Sequence, residues 1–156
     1  MSAENPLEKK IVPTWIRPNL ETERGEIERV IREFLGQEPT EEKTSNIINI
    51  LESASVIDLS YEDWRHLENT ESFQYIRPGH VEDAEKVVED KNEKLPPDNK
   101  RDFKAVLNGF NNGGKMECPT ILRDKDGRLH LVSGNTRLMI ARALGITPKV
   151  IIGEIK

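Results

Sequence analysis

The sequence predicts an α+β protein, a small mixed sheet preceded by an N-terminal helical extension. Three observations carry this. In the first third, Leu20, Ile27, Val30, Ile31, Phe34 and Leu35 recur at helical spacing. In the last third, two short apolar runs flank Asp124-Lys125-Asp126-Gly127, the residue types of a hairpin turn. Just beyond, a β-type run passes through Ser133-Gly134 straight into a helical pattern. Two units follow: residues 1–53 as an arm and helical hairpin, and 54–156 as the sheet-bearing domain.

Residues Met1 to Asn19 hold Pro6, Pro13 and Pro18 with no clear period, so they read as an extended arm in which Trp15 and Ile16 serve as anchors. A helix over Leu20–Leu35 stops at Gly36. The next helix takes Thr40 as N-cap before Glu41 and Glu42, acids that suit a first helical turn, and buries Ile47, Ile48, Ile50 and Leu51. These two helices read as a hairpin packed on the domain or as an arm for a protein partner. Ala54–Leu59 has adjacent β-branched residues and reads as a strand. Tyr61–Leu67 is a short helix with Trp64 and Leu67 on one face, and Glu68–Arg77 is loop. Val81, Ala84, Val87 and Val88 mark a helix cut off before Pro96-Pro97. Phe103, Val106, Leu107 and Phe110 mark another, ended by Asn111-Asn112-Gly113-Gly114. Pro119–Arg123 and Leu129–Val132 are the hairpin strands. Asn135–Leu144 is a helix stopped by Gly145, and Lys149–Ile155 is a last apolar strand.

Composition narrows the class. With 156 residues, 35% hydrophobic and 33% charged, the core is modest and the surface heavily charged. No apolar run approaches the roughly 20 residues of a membrane span. The N-terminal residues lack the pattern of a secretory signal, and the one cysteine, Cys118, forms no internal disulfide. A cytoplasmic protein is therefore expected. The net charge of −5 is uneven: Leu95 to Lys156 holds 11 Lys/Arg against 6 Asp/Glu, leaving 12 basic and 22 acidic residues before it. A basic C-terminal part suits an anionic ligand. An acidic whole without a Lys/Arg run argues against strong sequence-independent duplex binding.

The chemistry gathers at Ser133-Gly134-Asn135-Thr136-Arg137. A helix starting abruptly after a strand leaves its first N–H groups without intrahelical partners, and their dipoles favour an anion. Gly134 lets the backbone approach a ligand closely, and a side chain there would block a phosphate. Asn135 or Thr136 can cap the helix, and Ser133 and Thr136 offer hydroxyl donors. Arg137 adds a planar fork for phosphate oxygens. Ordinary turn chemistry with no ligand uses the same small residues. His130 lies mid-strand facing away from Leu129 and Leu131, as a surface or satisfied histidine. His66 and His80 are too scattered for a metal-ligand pattern, and no metal ligands are assigned. Cys118 reads as a buried or semi-buried strand residue, Arg142 as a solvated helix residue, and Trp64 as core. Phe73 and Tyr75 are aromatic residues able to stack on a base.

The stretch Asp126-Gly127-Arg128-Leu129-His130-Leu131-Val132-Ser133-Gly134-Asn135-Thr136-Arg137-Leu138, continuing through Ala141-Arg142-Ala143-Leu144-Gly145, resembles the hallmark of the ParB/sulfiredoxin superfamily. That pattern runs strand, small residue, Gly, two variable polar residues, Arg, an Ala-rich helix ending in Leu-Gly, and a closing strand. Cys118-Pro119-Thr120-Ile121 resembles the preceding family strand, and Val56-Ile57-Asp58-Leu59 its first. The resemblance implies a ParB/sulfiredoxin-like topology and nucleotide phosphates held at the turn, with Gly134, Asn135, Thr136 and Arg137 as contacts beside Ser133. Superfamily members include partition proteins that bind CTP, sulfiredoxins that use ATP and a kinase of free serine that uses ADP. The resemblance thus implies ATP, ADP or CTP as cofactor, with Mg²⁺ where phosphoryl transfer or hydrolysis occurs, and does not choose the reaction.

Departures from each branch narrow it. Asn135-Thr136 stands where sulfiredoxins have Cys-His, so the redox nucleophile is missing. Partition proteins carry Glu-Arg there and continue into a helix-turn-helix, whereas this sequence ends at Lys156, which disfavours sequence-specific DNA binding. In the serine-kinase relatives the region after the first strand lies near the pocket, which makes Glu68 and Glu71 the catalytic candidates. The alternative is a non-catalytic DNA- or protein-interaction module that docks through its N-terminal helices. The C-terminal segment also resembles stand-alone superfamily proteins of tailed bacteriophages, which would place it in host cytoplasm.

Overall fold

The computed structural model describes residues 12–68, 81–97, 100 and 102–155, the side chain of Glu68 excepted. Strand β1 (Thr14–Ile16) leads into a 3-10 turn (Leu20–Glu23) and helix α1 (Arg24–Glu33). The single helix expected over Leu20–Leu35 is thus split: the Asn19 side chain accepts from the Glu21 N–H and tightens the first turn. Gly36 ends it at φ 62°. Helix α2 (Glu41–Ser53) opens as expected, with the Thr40 hydroxyl accepting from the Lys43 N–H at 3.2 Å. Then come β2 (Val56–Asp58), α3 (Tyr61–Arg65), β3 (Leu67–Glu68), α4 (Val81–Asn92) and α5 (Phe103–Asn111). Strand β4 (Lys115–Glu117) precedes the hairpin β5 (Thr120–Arg123) and β6 (Leu129–Ser133), followed by α6 (Asn135–Leu144) and β7 (Lys149–Glu154).

Five strands form a mixed sheet in the order β2-β7-β5-β6-β3. β5 runs antiparallel to β6 and parallel to β7, and β3 runs parallel to β6. A separate two-stranded sheet pairs β1 with β4 in parallel, Trp15 opposite Met116. Neither of these short strands is apparent from the sequence. The anchor expected at Trp15 is real: its ring packs edge-on against Phe110 at 5.7 Å.

Alternation along the central strands sends side chains to two cores. Ile121, Leu131 and Val150 face α4, α5 and α6, where Ala84, Val88, Phe110 and Leu138 to Ala141 are buried. Leu122, Val132 and Ile151 face α1 and α2, where Ile27, Val30, Ile31 and Leu51 are fully buried. The apolar faces of the N-terminal helices are therefore spent on the sheet, at about 1.5–3 kcal/mol for each large side chain. Residues 12–53 and the strands beyond them share one core, leaving charged outer faces to solvent.

His130 is a covered rather than a surface histidine, and Arg142 is packed on aromatic rings rather than solvated. His130 does face away from Leu129 and Leu131, but that side is covered: the residue is 2% exposed and its ring lies 4.7 Å from Phe34. Its Nε2 pairs with the Asp124 carboxylate Oδ2 at 2.8 Å, while its Nδ1 is buried without a hydrogen bond. Arg142 is no free surface cation either, since its guanidinium lies over Tyr61 at 5.0 Å and Trp64 at 5.4 Å.

Candidate functional site

β6 passes into α6 through Gly134, whose φ of 111° places it in the left-handed region. A Cβ there would stand 2.6 Å from Pro119 Cβ and 2.9 Å from Pro119 Cα. Gly134 is therefore fixed by backbone sign and by packing on Pro119. The sequence reading, in which a side chain would block a ligand, is corrected: the Cβ direction leads into the protein. Gly134 is itself the N-cap and has no side-chain cap bond, so neither Asn135 nor Thr136 caps the helix. The Leu138 N–H bonds back to the Gly134 carbonyl at 2.9 Å. The N–H groups of Asn135, Thr136 and Arg137 precede that bond, in the zone where helices leave donors for a cap or a ligand.

Among the described residues, the Asn135 amide nitrogen and oxygen and the Thr136 hydroxyl are buried without a hydrogen-bond partner. Asn135 is only 8% exposed. Natural proteins rarely leave buried polar atoms unpaired, because each such group costs about 1–3 kcal/mol. Thr44 Oγ1, Arg123 Nε and His130 Nδ1 are also buried without a hydrogen bond, but the first turn of α6 gathers three such atoms in one place.

Arg137 turns back to donate to the Glu117 carbonyl. Burial pushes its guanidinium below the ordinary arginine value, opposed by the Glu23 and Glu117 carboxylates and by Cys118. Cys118 is fully buried but lies between β4 and β5 rather than in a strand, and burial raises its thiol pKa, with Arg137 pulling the other way.

The residue that sequence reading missed is Glu23. Delivered by the 3-10 turn, it is 7% exposed and accepts from Ser133 Oγ at 2.7 Å and from Thr120 Oγ1 at 3.0 Å. These donors face each other across the hairpin because the pairing skips a residue, Thr120 opposite Ser133 but Ile121 opposite Leu131. A signal was available: Leu20, Glu23, Ile27 and Val30 share one helical stripe, and a carboxylate on an apolar stripe needs partners. Ser133 is accordingly not the free donor expected from its position.

Leu131 to Arg137 form one wall of an open cleft of about 370 Å³; Glu26 and Arg29 of α1, with Asp102 and Val106 at the start of α5, form the other. Arg29 pairs with Glu26 at 3.0 Å and reaches the Val132 carbonyl at 3.5 Å. The cleft is therefore of mixed charge, not the plain basic hole that the C-terminal charge balance suggests. Its size lies within the range of small-molecule sites.

The candidate carboxylates are not brought to this cleft by what is described. The Glu68 backbone stands opposite His130, three residues or roughly 10 Å along β6 before Ser133. Glu71, with Phe73, Tyr75 and His80, lies outside the described residues. His66 is exposed, its Nδ1 2.9 Å from the Glu62 carbonyl. Among the described residues no three His, Cys, Asp or Glu side chains gather as metal ligands, and no helix is long and apolar enough to cross a membrane. Comparison with protein-family models, curated proteins and solved structures finds no match to this chain.

Proposed function

We propose that this protein binds the phosphate of a nucleotide in the cleft at the N-terminus of α6, on a fold of ParB/sulfiredoxin-like topology. The observation that carries the reading is the unpaired, buried first turn of α6, above all the Asn135 amide. A phosphate supplies acceptors for the leading N–H groups, and for the Asn135 amide N–H and Thr136 hydroxyl once these solvent-closed side chains turn toward the cleft, and the helix dipole favours its charge. Arg137 and Arg29 offset the nearby carboxylates. The order strand, Gly, helix, closing strand from Thr120 to Glu154 supports the topology.

Phosphoryl transfer or hydrolysis is the reaction class we attach to that binding, with ATP, ADP or CTP as donor. Mg²⁺ would come on the nucleotide phosphates, which commonly hold it with one or two carboxylates. Glu26 borders the cleft and joins Glu68 and Glu71 as a carboxylate to test by alanine replacement in a phosphate-release assay.

Thermal unfolding with ATP, ADP or CTP and Mg²⁺ tests the binding. A ligand at 100 times its Kd adds about 2.7 kcal/mol, or roughly 5–10 °C for a chain of this size. Absence of a shift with every nucleotide at millimolar concentration would remove the reading.

A further inference from the structure

The donors and acceptors around the cleft are not all of one kind. Ser133 has one hydroxyl proton, and it lies on the Glu23 carboxylate at 2.7 Å. Each Glu23 oxygen accepts from one of the two hydroxyls, so the Ser133 proton is committed and its oxygen keeps only lone pairs for a ligand. The second Glu23 oxygen is held by Thr120, buried with 0% exposure, which fixes the carboxylate in this role. Beside this acceptor stands the Asn135 amide, itself one acceptor and one double donor, unpaired and buried. Glu26 and Asp102 add carboxylates to the opposite wall. A fully deprotonated oxyanion answers the donors of Asn135, Thr136 and the helix terminus, but it meets the Ser133 oxygen lone pair to lone pair.

We infer that the cleft selects an oxyanion that also carries a hydroxyl proton over one that carries none. Ser133 is the specificity-determining acceptor, and Glu23 is the positioning residue that makes it one. Two sources supply that chemistry: hydrogen phosphate through its P–OH, and a nucleotide through a ribose hydroxyl beside its phosphates. The inference rests on the phosphate reading above and adds its selectivity. A site built to pair with a ligand hydroxyl rejects the isostere lacking it far more strongly than a site that only fills space.

The test is an NMR titration of the full chain with sodium phosphate or sodium sulfate at pH 7 and matched ionic strength, following the amides of Gly134 to Arg137. Sulfate has the shape of phosphate without a proton at this pH. Phosphate is expected to bind about tenfold or more tightly than sulfate. Ser133→Ala is expected to bring the ratio close to one, and Glu23→Ala, which removes the acceptor and frees the hydroxyl to donate, to favour sulfate relative to wild type. Comparison of ATP with its 2′,3′-dideoxy analogue assigns the hydroxyl: a large loss on deoxygenation points to the ribose. Equal binding of phosphate and sulfate by the wild type overturns the inference and leaves phosphate binding standing. A preference that survives intact in Ser133→Ala overturns the role of Ser133. No response to phosphate, sulfate or nucleotide removes the underlying reading and this inference with it.

Discussion

Replacing Gly134 with alanine separates two reasons for a glycine at the strand-to-helix turn. If it served only to let a ligand approach, alanine would weaken binding and leave stability nearly unchanged. The geometry predicts otherwise. At φ 111° a non-glycine residue carries backbone strain of about 1–3 kcal/mol. The new Cβ would also stand 2.6 Å and 2.9 Å from Pro119 Cβ and Cα, where ring and backbone give little. Relief of such overpacking costs a further 1–3 kcal/mol, approximately. Together these give about 2–6 kcal/mol, against a typical total of about 5–15 kcal/mol. For a chain of this length each kcal/mol moves Tm by roughly 2–4 °C. Gly134→Ala should therefore unfold at least about 4 °C below wild type, with a matching fall in the urea midpoint and no ligand present. A Tm within about 2 °C of wild type would refute the packing argument and return Gly134 to a purely ligand-facing role.

Three further predictions rest on other contacts. Gly153→Ala pushes a Cβ against Ile50 Cγ2 at 2.8 Å and Leu51 Cδ2 at 2.9 Å, ends of movable side chains. Its loss in urea unfolding should be smaller than that of Gly134→Ala, about 1–2 kcal/mol. Glu23→Ala strands the Thr120 and Ser133 hydroxyls and should lose about 2–4 kcal/mol in the same assay; an unchanged midpoint would show that these bonds carry nothing. Asp124 is held below the ordinary aspartate value by the His130 hydrogen bond, with the Arg128 and Asp126 N–H groups adding to it. Its stabilisation is therefore complete above the unfolded value of about 3.9 and is lost as pH falls through the lower folded value. Urea midpoints from pH 6 downward should fall less steeply in Asp124→Asn than in wild type, and parallel curves would contradict this.

Legibility in the sequence followed the range of the interactions. The Asn135–Leu144 helix, its Gly145 stop, the Thr40 cap and the Asp124–Gly127 turn are decided within a few residues, and all four stand in the structure. The β1–β4 pair joins segments about a hundred positions apart through three residues each, too short to show a period. The burial of His130 depends on α1 covering the far face of the sheet, which no local pattern states. The candidate site divides in the same way. Its turn residues are contiguous and readable, whereas Glu23, Glu26, Arg29 and Asp102 come from two other segments. The carboxylate on the apolar stripe was the one local trace of that assembly.

The central claim is that the first turn of α6 is left unpaired for an anion. Asn135→Leu, close in size, tests it most directly, with Tm and nucleotide response measured on the same samples. Removal of an unsatisfied buried amide should leave the ligand-free protein as stable as wild type or more so, by up to about 1–3 kcal/mol. The same change should cut the nucleotide-induced Tm shift to a small fraction of the wild-type shift, the trade between stability and function seen at working sites. A variant less stable without ligand that keeps its full nucleotide response would contradict the account.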